Sequence, residues 1–147
     1  MMQRDKKTVL FVCTGNTCRS PMAMALFNRM VKDGKINEFV AESAGIAATG
    51  EKISQNAAKA LSDAGIDLSG YVSRQLSPQM LSNASLVFVM TSTHLNILRQ
   101  AGIKPDNIFV LGNGIPDPFG GDLNEYKKCL ESIKVSIEDL VKKGIVK

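Results

Sequence analysis

The sequence predicts an α/β protein in which a four-stranded parallel sheet is covered by helices on both faces. Short apolar runs alternate along the chain with segments of helical periodicity, which is the pattern of a parallel sheet with crossover helices. The 147 residues suit one domain, so residues 1–147 are expected to form a single unit. The sequence contains no internal repeat, no low-complexity tract and no long linker.

The predicted strands are short runs rich in apolar and β-branched residues. They cover residues 8–12, 39–44, 86–90 and 107–111. The run at 86–90 is apolar throughout, which is typical of a strand that is buried on both faces.

Capping residues and apolar periodicity predict a helix after each strand. The segments run from Ser20 to Gly34, from Ser54 to Ala64, from Thr93 to Gln100 and from Asp122 to Gly144. Ser20 is predicted as an N-cap with Pro21 at the first helical position, and Glu125 follows Asp122 at capping-box spacing. A loop rich in Gly and Pro, residues 112–121, precedes the last helix.

The loop after the first strand has the composition of an anion site. It begins at Cys13, ends at Arg19 and runs directly into a helix, so its backbone N–H groups and the helix dipole can surround one anion. The other loop residues are Thr14, Gly15, Asn16, Thr17, Cys18 and Ser20. Arg19 offers a planar fork for two phosphate oxygens, and a Cys13 thiolate in this cradle is an activated nucleophile.

Simpler interpretations of these residues are weaker when the loop is taken as a whole. A cysteine that ends a buried strand usually serves packing, and a Gly-Asn turn before a helix is common. The loop lacks the Gly-Lys-Ser/Thr ending of a nucleotide-binding phosphate loop. Cys13 and Cys18 lack a second His/Cys pair that would complete a metal site, so no metal and no cofactor are expected.

Residues 9–23, VLFVCTGNTCRSPMA, closely resemble the signature of low-molecular-weight protein tyrosine phosphatases. Three further segments are similar to that family: ESAG at 42–45, SRQL at 73–76 and Asp117-Pro118. The resemblance implies the family's four-stranded, flavodoxin-like doubly wound sheet. It also implies a metal-free, two-step phosphatase acting on phosphorylated proteins.

The resemblance also implies roles for individual residues. Cys13 attacks phosphorus, Arg19 and the loop amides hold the phosphoryl oxygens, and Asp117 protonates the leaving group and then activates water. Ser20 donates a hydrogen bond to the Cys13 sulfur. Asn16 and Ser43 bond to each other and support the loop, and Phe119 forms one wall of the substrate slot. All of these residues are present.

Two departures from the family pattern bear on function. Tyr71 stands where the family often has histidine, which puts a supporting role at that position in doubt. Thr17 replaces the usual aliphatic residue, and Phe119-Gly120-Gly121 follows Asp117-Pro118 where tyrosine-directed members often carry tyrosines. These features resemble the bacterial protein-arginine-phosphatase branch. A threonine hydroxyl would also suit a phosphoarginine side chain better than an aliphatic wall does.

Other functions fit the sequence less well. Arsenate reductases share the loop pattern, but residues 41–121 contain no cysteine pair for their redox chemistry. A non-catalytic phosphoprotein-binding or redox module would tolerate loss of Cys13 or Asp117, and both are present.

The net charge of +4 comes from scattered Lys and Arg, so no nucleic-acid partner is expected. No membrane span or signal peptide is recognised, which predicts a cytoplasmic protein; the oligomeric state stays open, with a monomer the expectation.

The cysteines, the histidine and several methionines are expected to have structural or regulatory roles. Cys13 and Cys18 are expected to form a reversible redox pair. His94, the only histidine, is expected to cap a helix or lie on the surface. Cys129 is expected to pack in the core, and Met22, Met24 and Met30 are expected to line the core or a groove.

Overall fold

The computed structural model describes residues 6–102 and 105–147 and contains a parallel sheet between two layers of helices. Its strands are β1 (Lys7–Cys13), β2 (Phe39–Gly45), β3 (Leu86–Val89) and β4 (Ile108–Val110). Its α-helices are α1 (Arg19–Lys32), α2 (Gln55–Asp63), α3 (Pro78–Asn83), α4 (Ser92–Gln100) and α5 (Leu123–Lys142). A 3₁₀ turn, Pro105–Asn107, precedes β4. The predicted fold class is confirmed.

The sheet order is β2-β1-β3-β4, and all neighbouring strands are parallel. The chain leaves β1 toward β2 on one side and later returns to β3 on the other side. The strand order therefore reverses between β1 and β3. In open α/β sheets, the crevice beyond the carboxyl ends at such a point is where ligands bind.

Alternate residues of β1 enter two separate cores. Val9 and Phe11 pack with residues of α1, α2 and α5, whereas Leu10 and Val12 pack with residues of α3 and α4. All four side chains are fully buried. Because both faces of β1 are covered, its sequence is a continuous apolar run rather than an alternating one.

Two details of the helices differ from expectation. The N-cap of α1 is Cys18, without a side-chain capping bond, and Ser20 lies inside the first turn, so the predicted Ser20 cap was wrong. The Ser20 hydroxyl is engaged with the loop instead, as described below. The short helix α3 was not predicted, although its cap is readable: Ser77 accepts a hydrogen bond from the Met80 N–H, and Pro78 occupies the first turn.

The other predicted elements agree with the structure to within about two residues. Ser54 accepts a bond from the Ala57 N–H at the start of α2, and Asp122 accepts one from the Glu125 N–H at the start of α5. Within the described residues, no helix has the length and apolar character needed to cross a membrane.

Candidate active site

The loop between β1 and α1 lies at the carboxyl end of the sheet, beside the β1–β3 crevice. Cys13 ends β1 and is only 2% exposed. Its Sγ lies 2.9 Å from the Oγ of Ser20. The Ser20 Oγ also accepts a hydrogen bond of 2.7 Å from the Asn16 side-chain amide. Its single proton can therefore be donated to the cysteine sulfur.

Asn16 holds the loop in a strained shape. It has a φ of 58° and is the single non-glycine residue with positive φ in the described part of the chain. Its Nδ2 donates to the Oγ of Ser20 and, across 3.1 Å, to the Oγ of Ser43. Its Oδ1 accepts from the Arg74 N–H at 2.8 Å. A left-handed conformation costs about 1–3 kcal/mol, which these buried bonds offset.

Tyr71 takes part in the same network. Its hydroxyl donates to the Asn16 Oδ1 across 2.7 Å and lies 2.6 Å from the Ser43 Oγ. Burial raises the pKa of Tyr71 above its ordinary value, so the phenol stays a neutral donor across the physiological range. The position where the family often has histidine thus still contacts the loop through a hydroxyl group.

His94 contacts the loop from the opposite side. Its Nε2 lies 2.8 Å from the Thr14 Oγ1, and its Nδ1 lies 3.1 Å from the Thr91 Oγ1. The residue is 5% exposed, so the expected surface position was wrong. Thr91, rather than His94, provides the cap of α4. Sequence reasoning missed this contact because it joins residues 80 positions apart.

Arg19 connects the loop to the segment that carries Asp117. It is 5% exposed, and its Nη1 donates to the Ile115 carbonyl across 2.9 Å. Its Nη2 lies 3.7 Å from the Asp117 Oδ2. The buried Nε has no hydrogen-bond partner within the described residues. A buried N–H without a partner costs about 1–3 kcal/mol, and an anion in the loop could relieve that cost.

Asp117 lies at the open side of the loop, with its side chain 51% exposed. Its Oδ1 accepts from the Phe119 N–H at 3.0 Å and lies 3.8 Å from the Cys18 Sγ. Phe119 itself is 82% exposed. The Asp117 carboxylate is therefore oriented by the turn that follows it and remains open to solvent.

A cavity of about 370 Å³ lies beside the loop. Its lining residues are Thr17, Cys18, Glu51, Lys52, Ser54, Asn56, Phe119, Gly120, Gly121 and Tyr126. The Thr17 carbonyl accepts a hydrogen bond from the Ser54 N–H at 2.8 Å, which fixes this side of the loop. Thr17 and Phe119 therefore both border this cavity, which we call the slot beside the loop. Its other lining residues include charged and polar side chains as well as the ring of Tyr126.

The sequence profile of the low molecular weight phosphotyrosine protein phosphatases matches residues 8–146. The chain belongs to this family. A protein-arginine-phosphatase from Bacillus subtilis (strain 168) is 34% identical to it over 142 residues, covering 91% of this chain and 94% of that protein. An arsenate reductase from Staphylococcus haemolyticus (strain JCSC1435) is 34% identical over 134 residues, covering 91% of this chain and 95% of that protein.

Solved structures agree with this assignment. A low molecular weight protein tyrosine phosphatase from T. tengcongensis superposes with a TM-score of 0.88 at 35% identity, covering 94% of this chain and 99% of that one. The YwlE arginine phosphatase, solved as a cysteine-to-serine mutant with a phosphorylated active-site serine, superposes with a TM-score of 0.86 at 34% identity. It covers 92% of this chain and 94% of that one. The match to the family and the relatives named as phosphatases together identify the chain as a phosphatase.

The other two thiols of this phosphatase are buried and neutral. Burial is the main cause that raises the pKa of Cys18 to about 12, with further contributions from Cys13 and Asp117. Burial likewise raises the pKa of Cys129 to about 12. Cys129 packs in the core that contains α5, where its Sγ lies 3.9 Å from the Pro116 carbonyl. Neither thiol is therefore a candidate for the nucleophile that attacks phosphorus.

Proposed function

We propose that this phosphatase hydrolyses phosphorylated protein side chains through a cysteinyl-phosphate intermediate, and that phosphoarginine is its preferred substrate. The observation that carries the proposal is the arrangement of three groups around one loop. The Cys13 sulfur contacts Ser20 at 2.9 Å, Arg19 has an Nε without a partner in the described residues, and Asp117 lies beside Arg19. These three residues supply the proposed nucleophile, anion clamp and acid, and their proximity supports the proposal.

In the first step, the Cys13 thiolate attacks phosphorus and forms a P–S bond. The bond from phosphorus to the leaving nitrogen breaks, or the bond to oxygen in the case of a phosphotyrosine. Asp117 gives its proton to the leaving atom, which avoids expulsion of a strong base. The loop amides and Arg19 bind the three equatorial oxygens, where charge must be stabilised in the transition state.

In the second step, water attacks the cysteinyl phosphate. The Asp117 carboxylate, now deprotonated, accepts a proton from that water. The P–S bond breaks, inorganic phosphate forms and the thiolate returns. The Ser20 hydroxyl, 2.9 Å from the sulfur, stabilises the charge of the leaving thiolate in this step. The phosphorylated active-site serine of the related arginine phosphatase mutant supports a covalent intermediate at this position.

The preference for phosphoarginine rests on the slot beside the loop. A guanidinium carries several N–H groups that need acceptors when they are desolvated. The slot offers the Thr17 hydroxyl and the side chains of Glu51, Ser54 and Asn56 among its lining groups. The relatives named as arginine phosphatases support the same choice. Phosphotyrosine is the alternative substrate, because its ring could use the exposed face of Phe119.

Arsenate reduction is a second candidate because a relative at 34% identity is named as an arsenate reductase. That chemistry requires a cysteine pair that becomes oxidised. Beyond Cys13 and Cys18, the sequence holds one further cysteine, the buried Cys129. Phosphate transfer requires no electron donor and gives a role to each of Cys13, Arg19 and Asp117, so we favour it over arsenate reduction.

The test of this proposal is a comparison of two peptides of one sequence that differ only in carrying phosphoarginine or phosphotyrosine. Phosphate release is measured with the wild-type enzyme, with Cys13→Ala as the control for contaminating activity. A higher kcat/KM for the phosphoarginine peptide supports the proposal. A higher value for phosphotyrosine would overturn the arginine preference, and equal release by Cys13→Ala would overturn the cysteine mechanism.

A further inference from the structure

His94 joins two loops that follow different strands. It lies in the first turn of α4, just after β3, and its ring reaches Thr14, the first residue after β1. The Nε2 to Thr14 Oγ1 distance is 2.8 Å, and the Nδ1 to Thr91 Oγ1 distance is 3.1 Å. The ring therefore spans the β1–β3 crevice, where the strand order reverses, next to the residue that bears the nucleophile.

The environment favours the neutral form of this imidazole. Burial lowers the pKa of His94, and the nearby charge of Arg19 lowers it further, whereas Asp117 raises it. A neutral ring has one donor nitrogen and one acceptor nitrogen. The Thr91 Oγ1 already accepts the His94 backbone N–H at 3.3 Å, so its own proton is available to Nδ1. A tautomer that satisfies both contacts has its proton on Nε2, which then donates to the Thr14 hydroxyl.

The backbone of Thr14 is held on the side of the sheet where β2 ends. Its carbonyl accepts a hydrogen bond from the Ala47 N–H at 2.9 Å. A Cβ at Gly45 would lie 2.6 Å from the same carbonyl, so the end of β2 packs directly against this peptide. The backbone of Thr14 is thus fixed from the β2 side and its side chain from the β3 side.

We propose that His94 is a positioning residue for the phosphate loop, acting through the Thr14 hydroxyl. Thr14 follows the nucleophile directly, so its orientation sets where the amide cradle begins relative to the Cys13 sulfur. Loss of the contact removes the restraint on the Thr14 side chain from the β3 side, and the loop then binds a phosphoryl group less well in the ground state and in the transition state. The inference rests on the proposed function, since it assumes that the loop holds a phosphoryl group.

Two matched pairs of variants test the contact. His94→Gln can place an amide nitrogen near the Nε2 position and keep the bond to Thr14, whereas His94→Asn reaches only the Nδ1 position and loses it. Thr14→Ser keeps the hydroxyl, whereas Thr14→Val removes it at nearly constant shape. The readouts are the Kd for inorganic phosphate by calorimetry and kcat/KM for an aryl phosphate.

We expect His94→Asn and Thr14→Val each to weaken phosphate binding and lower kcat/KM by about tenfold, the size of one buried hydrogen bond. His94→Gln and Thr14→Ser should stay within about threefold of wild type. The double variant His94→Asn/Thr14→Val should be no worse than the poorer single variant, because both substitutions remove the same contact.

Three results would overturn the inference: an unchanged phosphate Kd in His94→Asn and Thr14→Val, equal losses in His94→Gln and His94→Asn, or additive losses in the double variant. A lower melting temperature with an unchanged Kd would show that His94 serves only the packing of α4. Failure of the proposed function gives a different pattern, in which the wild-type protein binds phosphate at this loop but hydrolyses neither phosphopeptide.

Discussion

The guanidinium of Arg19 and the carboxylate of Asp117 lie beside each other at the edge of the phosphate loop, with Nη2 3.7 Å from Oδ2. Arg19 is anchored independently by its 2.9 Å bond to the Ile115 carbonyl. Since the Asp117 side chain is 51% exposed, this ion pair adds little to stability. Its consequence is geometric, because Arg19, the proposed ligand of the phosphoryl oxygens, also contacts the segment that carries Asp117, the proposed acid.

This geometry predicts how Asp117→Asn behaves. Asparagine keeps the size of the side chain but has no proton to transfer, so the first step should slow by roughly 10²–10⁴. The loss should be smaller for an aryl phosphate with a good leaving group than for one with a poor leaving group. Rates for a series of aryl phosphates measure this difference, and equal losses across the series would show that Asp117 is not the acid.

Thr17→Ile is predicted to change substrate preference. A desolvated guanidinium loses an acceptor when the hydroxyl is replaced, so kcat/KM for the phosphoarginine peptide should fall by roughly tenfold to a hundredfold. The value for the matched phosphotyrosine peptide should be unchanged or higher, because the new wall is apolar. A control variant, Thr17→Ser, should retain the preference for phosphoarginine. Parallel losses for both peptides would mean that Thr17 only holds the loop in place.

Reversible oxidation is predicted at Cys13 with Cys18 as the resolving thiol. Peroxide converts the Cys13 thiolate to a sulfenic acid, and the Cys18 thiol then displaces water to form a disulfide. Because burial raises the pKa of Cys18 to about 12, this second step should be slow near neutral pH and faster at higher pH. The measurement is recovery of activity by a thiol reductant after peroxide treatment. Full recovery in Cys18→Ala, equal to wild type, would remove Cys18 from the process.

The depressed pKa of His94 predicts a pH dependence of stability. The unfolded chain binds a proton at His94 near pH 6.5, whereas the folded protein binds it only at lower pH. The contribution to the free energy of unfolding is therefore fully present above about pH 6.5 and is lost as the pH falls through the folded-state pKa. Urea unfolding at several pH values measures this loss. His94→Gln should remove that part of the slope, and an identical slope in both proteins would contradict the assignment.

The features that could be predicted from the sequence are those that depend on residues close together in the chain. The apolar run of β1, the Cys-x₅-Arg spacing and the caps at Ser54 and Asp122 need only neighbouring residues, and the structure has the strand and the two caps where they were predicted. The resemblance of residues 9–23 to a known family added the expectation that Asp117 belongs with this loop.

The parts that could not be predicted depend on where the chain returns in space. Ser20 has the sequence position of a cap, but its hydroxyl is engaged by Cys13 and Asn16. The Tyr71 phenol and the His94 imidazole reach the loop from segments 55 and 80 residues away. No periodicity or local motif records such contacts, because they are fixed by the order of the strands in the sheet.

The central claim is that phosphate passes through the sulfur of Cys13, and a rapid-quench measurement with a good-leaving-group aryl phosphate tests it directly. With such a substrate, breakdown of the intermediate limits turnover, so a burst of phenol close to one equivalent per enzyme is expected. Peptide mapping of the quenched enzyme should then show phosphate on Cys13. A burst with phosphate on another residue, or turnover that persists in Cys13→Ala, would contradict the account.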